Sequence, residues 1–194
     1  MKRIMISGTN SGCGKTTVVC ALLKALSERS VDVGAFKCGP DYIDPMFHSK
    51  IIGTKSYNLD SYFCPAGTLN YLLKKNSADM NIIEGAMGYY DGLGGISATA
   101  SAWHLADTLG LPVLLVVEPK GQSLTLAAEL RGLDGFRTPS HLAGILLNTC
   151  TARMHALLAP MLERETGLPV VGFLPPMPDA AIESRHLGLK LSLI

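Results

Sequence analysis

The chain has 194 residues, 47% of them hydrophobic and 17% charged, enough apolar material for one well-buried domain and too much for a disordered one. A formal net charge of +1 offers no basic surface to attract nucleic acid. No apolar run reaches the roughly 20 residues of a membrane helix, and the first residues lack the apolar segment and cleavage site of a signal peptide.

Short apolar runs alternate with helix-like segments from end to end. Residues 3–7, 31–36, 80–84, 113–117, 143–148 and 170–174 read as strands. Most are almost continuously hydrophobic, as strands covered on both faces of a parallel sheet must be. Helices are predicted over 14–28, 66–75, 98–109, 123–133 and 153–166. In the first of these Val18, Val19, Leu22, Leu23 and Leu26 fall on one helical face. The repeated strand–helix order predicts an α/β fold, a doubly wound, mostly parallel sheet with right-handed crossovers and helices on both faces. No repeat or linker divides residues 1–194, so a single domain is expected. The five cysteines (Cys13, Cys20, Cys38, Cys64 and Cys150) are scattered, odd in number and form no CxxC pair. That pattern suits reduced thiols in a cytoplasmic protein.

The chemically suggestive residues cluster just after strand ends, the rim where open α/β sheets bind ligands. Gly8-Thr9-Asn10-Ser11-Gly12-Cys13-Gly14-Lys15-Thr16-Thr17 stands between a strand and a helix. Glycines there let backbone N–H groups turn toward phosphate oxygens, and the helix N-terminus adds the positive end of its dipole. Lys15 is placed to reach the β- and γ-phosphates and Thr16 to ligate Mg²⁺, so ATP and Mg²⁺ are the expected ligands. The usual spacing has glycine where this chain has Thr9, with Gly8 one residue earlier.

After the second strand comes Lys37-Cys38-Gly39-Pro40-Asp41-Tyr42-Ile43-Asp44-Pro45. Asp41 and Asp44 suit a metal-bridged phosphate, although proline and aspartate are also ordinary turn residues. Glu84-Gly85-Ala86-Met87-Gly88-Tyr89-Tyr90-Asp91-Gly92 follows the strand that starts at Met80. A carboxylate at such a strand end is where phosphate-loop proteins hold Mg²⁺. Asn148 could hydrogen-bond an adenine edge or equally cap the next helix. The histidines show no metal-ligand spacing and read as structural or surface residues; His48 lies near the aspartate loop, and Trp103 is expected to pack on a helix face.

Taken together, the motifs at 8–16, 37–48 and 84–92 and the Arg185-His186-Leu187-Gly188-Leu189 block resemble the cobyrinic acid a,c-diamide synthase family. The pattern is shared by the nickel-sirohydrochlorin and hydrogenobyrinic acid a,c-diamide synthases. The dethiobiotin synthetases, more distant, share the glycine loop and the Glu-Gly strand end but not the Gly-Pro-Asp-Tyr-Ile-Asp block. The resemblance implies a phosphate-loop fold of the dethiobiotin synthetase-like type and an ATP-dependent amidoligase of cobalamin biosynthesis. In that chemistry an acetate carboxylate of a corrinoid or related tetrapyrrole attacks the γ-phosphate, and ammonia displaces phosphate from the acyl phosphate. The resemblance further implies catalytic roles for Lys15, Lys37, Asp41, Asp44, Glu84 and Asp91. It implies metal roles for Thr16, Asp41, Asp60 and Glu84, with Asp60 carried over from the dethiobiotin synthetases. A homodimer is the assembly it implies. The family continues into a glutaminase domain that releases ammonia from glutamine. This sequence stops at Ile194, so that domain is expected to be absent here and ammonia to come from elsewhere. A rival of another class, a partitioning-type ATPase switch, would carry lysine where this chain has Asn10.

Overall fold

The computed structural model describes residues 2–53 and 55–177; the Arg185–Leu189 block lies outside them. In chain order the elements are β1 (Lys2–Gly8), α1 (Lys15–Glu28), β2 (Val33–Cys38), α2 (Ile43–Ile52), β3 (Tyr57–Leu59), α3 (Ala66–Lys75), β4 (Met80–Glu84), a 3₁₀ turn (Leu93–Gly95), α4 (Ala102–Leu109), β5 (Val113–Val117), α5 (Leu124–Phe136), β6 (Leu142–Leu147), α6 (Ala152–Thr166) and β7 (Val170–Phe173). The seven strands form one sheet in the order β3-β2-β4-β1-β5-β6-β7, and every pairing is parallel.

Two apolar layers cover the sheet, and the strands serve both by alternation. Met5, Phe36, Ile83 and Val117 belong to the layer packed with α3, α4, α5 and α6. Their chain neighbours Ile6, Ala35, Ile82 and Val116 belong to the layer packed with α1 and α2. The six strands read from the sequence all form, β4 and β5 with the expected ends.

One helix and one strand, besides the 3₁₀ turn, escape the sequence reading. α2 begins within the segment read as a proline-held turn. Pro45 fits there because the amides of a first helical turn have no partner inside the helix, so its missing N–H costs nothing. β3 has three residues, too few for a periodic pattern, and is held by pairing with β2 from Phe36 to Cys38. α4 starts at Ala102, later than the expected 98, because Ala100 has φ +64° and the Ser101 hydroxyl accepts the His104 N–H as its cap.

The parallel order places the strand ends that carry the motifs side by side. β4 lies between β1 and β2, with Glu84 opposite Ile6 on one side and Lys37 on the other. Residues in register on neighbouring parallel strands project to the same face, so Glu84 and Lys37 emerge together at the mouth of the loop that follows β1.

Candidate nucleotide and carboxylate site

The loop after β1 owes its shape to glycine at two positions. A Cβ on Gly8 would run into Cys13 Sγ and lie 3.1 Å from the Lys15 stem. This explains why glycine stands at the strand end and Thr9 can follow it. Gly14, the N-cap of α1, has φ +92°, a left-handed conformation that side chains resist. A Cβ there would also collide with the Asn148 amide.

Lys15 opens α1, is 8% exposed, and donates through Nζ to the Asn10 carbonyl at 2.9 Å. Burial lowers its pKa below the ordinary lysine value. Asn148 donates through Nδ2 to the Cys13 carbonyl at 3.0 Å and so braces the loop. It does not cap α6; Thr151 does, accepting the Met154 N–H.

Behind the loop is a buried polar network. Thr16 Oγ1 donates to Glu84 Oε1 at 2.7 Å and lies 3.5 Å from Asp44 Oδ1. Lys37 Nζ sits between the same two acids, 2.8 Å from Asp44 Oδ2 and 3.1 Å from Glu84 Oε1, and also donates to the Gly85 carbonyl at 3.0 Å. Burial works to lower the Lys37 pKa, but the charges of Glu84 and then Asp44 outweigh it, and the net direction is upward. Its three donors meet three acceptors, which is what allows an ammonium to be buried.

The network closes through His48, which the sequence reading left as structural or surface. The ring is fully buried, with Nε2 2.7 Å from Glu84 Oε2 and Nδ1 3.2 Å from Ser56 Oγ. Ser56 donates its hydroxyl to the Ala35 carbonyl at 3.1 Å, so it accepts from a protonated Nδ1. Asp44 and His48 stand four residues apart on α2, the spacing that puts two side chains on one helical face. That spacing becomes a signal only once the segment is known to be helical.

The remaining acids of the sequence reading lie on the wall of a neighbouring cavity of about 590 Å³. Asp41 Oδ1 accepts the first amides of α2, from Ile43 at 2.8 Å and Asp44 at 3.3 Å. Asp60 Oδ1 accepts the Tyr62 and Phe63 amides, and its buried Oδ2 has no partner among the described residues. Asp91 Oδ2 accepts the Gly88 N–H at 3.1 Å. Lys37 reaches the same cavity from the network side, and Tyr42, Tyr62 and Phe63 form its apolar rim, 82%, 55% and 74% exposed. Sequence reading gave these aromatics no role, because aromatic residues are by default core-formers. Thus Thr16, Lys37, Asp44 and Glu84 are brought together with His48, whereas Asp41, Asp60 and Asp91 face the adjoining space.

Among the described residues no three His, Cys, Asp or Glu side chains are grouped to hold a metal by themselves. Mg²⁺ that arrives with nucleotide needs only one or two protein oxygens, with phosphate and water supplying the rest. The hydroxyl of Thr16 beside a carboxylate oxygen of Glu84 fits that demand. No helix of the described residues is long and apolar enough to cross a membrane.

A chloroplast FtsY from Physcomitrella patens matches with a TM-score of 0.61 at 16% identity, over 87% of this chain and 57% of that one. The hydrogenase maturation factor HypB from Archaeoglobus fulgidus matches at 0.56 and 13% identity, over 89% of this chain and 80% of that one. At these identities the likeness is one of fold. In sequence the chain is 43% identical to the cobyrinate a,c-diamide synthase of Clostridium tetani over 189 residues, 97% of this chain and 43% of that protein. It is also 43% identical to the Salmonella typhimurium cobyrinate a,c-diamide synthase over 95% of this chain and 41% of that protein. The chain thus spans about two-fifths of the length of these relatives. Residues 4–189 match the family described as the CobQ/CobB/MinD/ParA nucleotide binding domain, and the chain belongs to that family.

Proposed function

We propose that this chain is the ATP-binding, carboxylate-activating domain of a cobyrinate a,c-diamide synthase, amidating the a- and c-acetate groups of cobyrinic acid. The observation that carries the reading is the junction of two sites at Lys37. On one side of this lysine stands the Thr16–Glu84–Asp44 network behind the phosphate loop, and on the other the cavity with aromatic rim and acidic wall. A triphosphate seated on the loop would thus present its γ-phosphate toward a molecule held in the cavity. The aromatic rim suits a flat, largely apolar macrocycle.

In this reading the backbone N–H groups of Gly12 to Thr16 and the Lys15 ammonium hold the phosphates. Thr16 and Glu84 would provide oxygens for Mg²⁺, which when bound offsets charge on the phosphates, while Asp41 and Asp60 would meet it only from the cavity side. The substrate acetate enters beside Lys37, whose charge orients it. A carboxylate oxygen then attacks the γ-phosphorus and the bond to ADP breaks. Ammonia next adds to the acyl carbon, inorganic phosphate leaves, and a proton is lost to give the amide. Positioning and charge compensation are the main demands of both steps. Asp91 offers an acceptor on the substrate side. Ammonia would come from glutamine through the further part of a longer relative, or from solution.

The test incubates the chain with Mg²⁺, ATP and excess ammonium, together with cobyrinic acid or nickel-sirohydrochlorin, and reads substrate mass and ADP. ATP-dependent conversion of carboxyl to amide is expected with cobyrinic acid. ADP formation that neither tetrapyrrole stimulates, with no mass change, would overturn the assignment.

A further inference from the structure

Both oxygens of Glu84 are engaged, and from opposite sides; those of Asp44 are engaged too, but by Thr16 and Lys37 of the same network. Oε1 takes the Thr16 hydroxyl and the Lys37 ammonium; among the described residues Oε2 meets His48 alone. The terminal torsion of a glutamate is broad and two-fold, so an unrestrained carboxylate would swing Oε1 away from Thr16. Lys37 holds the same oxygen as Thr16 and cannot fix the other one. His48 can, because its own ring is held at the far end. Nδ1 meets Ser56 Oγ, the Ser56 amide donates to Ser49 Oγ at 2.8 Å, and Ser49 Oγ donates to the Pro45 carbonyl at 2.6 Å. The clamp is thereby tied back to the first turn of α2, the helix that also carries Asp44.

We propose that His48 is a positioning residue for the cation that accompanies ATP. It pins Glu84 Oε2 so that Oε1 stays presented beside the Thr16 hydroxyl. The inference rests on the nucleotide-binding reading and extends it to a residue that touches neither phosphate nor substrate. Partners that orient ligating carboxylates typically alter metal affinity by about 10–100-fold when removed.

The experiment measures ATP binding by calorimetry, with Mg²⁺ and with EDTA, for the wild-type chain and for His48→Ala, His48→Gln and Ser56→Ala. Circular dichroism and thermal unfolding establish that each variant is folded. In His48→Ala the gain in ATP affinity on adding Mg²⁺ should shrink by about 10–100-fold, while affinity in EDTA stays near wild type. His48→Gln should recover much of the gain, since its amide N–H can reach the same oxygen. Ser56→Ala should fall between, because the ring keeps Glu84 but loses its own anchor. A folded His48→Ala chain with the wild-type Mg²⁺ gain would overturn the proposal. So would an equal loss in EDTA, which would mark a packing role. If His48→Ala does not fold, His48→Gln and Ser56→Ala decide on the same criteria. Wild-type chain that binds no ATP under either condition would remove the nucleotide reading itself, and the inference with it.

Discussion

Lys15 and Lys37 are both buried ammonium groups, yet they are shifted in opposite directions, and the difference separates their roles. Lys15 has a carbonyl for a partner and its pKa falls with burial; a phosphate would complete its charge balance. Lys37 has two carboxylates and its pKa rises despite burial. Lys15→Ala should therefore leave the fold intact and reduce turnover by about 10²–10³-fold, the usual effect of losing one donor to a developing charge, as read by ADP release. Lys37→Met should act on stability. It leaves Asp44 and Glu84 buried with no ammonium between them, a loss of about 3–5 kcal/mol for a broken buried pair. Urea unfolding would measure it, and Mg²⁺ should restore part of the loss by binding the folded state. An unchanged urea midpoint would mean that the pair is not energetically coupled.

At the scale of elements, the site depends on loops pinned from outside themselves. Gly14 and Asn148 lie in different strand–helix units and fit only because one lacks a Cβ. Gly14→Ala should weaken ATP binding and destabilise the chain, by about 1–2 kcal/mol for the left-handed conformation alone. Adding Asn148→Ala should recover the part due to the clash, but not the backbone part, in a double-mutant cycle. The loop that carries Asp91 is held by its tyrosines: Tyr89 donates to the Ser140 carbonyl at 2.6 Å and Tyr90 to the Leu133 carbonyl at 2.8 Å. Burial, then the Asp134 charge, raises the Tyr90 hydroxyl from 10.0 to about 12. Burial first, then the neighbouring Tyr90, moves Tyr89 upward as well. A raised folded pKa means that the neutral hydroxyl is favoured by folding. Its contribution is complete below pH 10.0 and is lost as pH rises through about 12. Tyrosinate absorbance should accordingly show two of the six tyrosines ionising last, with loosening of this loop. Tyr89→Phe and Tyr90→Phe should each remove one late step.

Across the whole molecule, the phosphate loop and the cavity draw on different loops of one sheet edge. α1 and α2 carry the phosphate loop, Asp44 and His48, and pack with one apolar layer; the cavity opens toward the loops after β2, β3 and β4. Under the proposed function, the nucleotide and tetrapyrrole sites should therefore be separable. Phe63 is 74% exposed on the cavity rim, so Phe63→Ser should raise the KM for the tetrapyrrole and leave the ATP Kd and the thermal stability unchanged. A matching loss of ATP affinity would show that the two sites are not independent.

Much of this architecture is written in local pattern. Continuous apolar runs name the buried parallel strands, and their two-residue alternation is what lets Ile82 and Ile83 serve opposite layers. Gly-Lys-Thr between a strand and a helix identifies the phosphate loop, because backbone amides, helix dipole and lysine are contiguous in the chain. α2 and β3 were not legible: the first has Pro40 just before it and Pro45 in its first turn, as a turn would, and the second is too short to show a period. His48 was not legible for a different reason. Its partners, Glu84 and Ser56, are distant in sequence, and the meeting requires α2 to be a helix, β4 to lie between β1 and β2, and Glu84 to stand in register with Lys37. Sequence determined which groups exist and which apolar runs become strands; only the tertiary structure decided which buried charges share a lysine, a hydrogen bond or an open cavity, because that depends on distances between segments that no local pattern encodes.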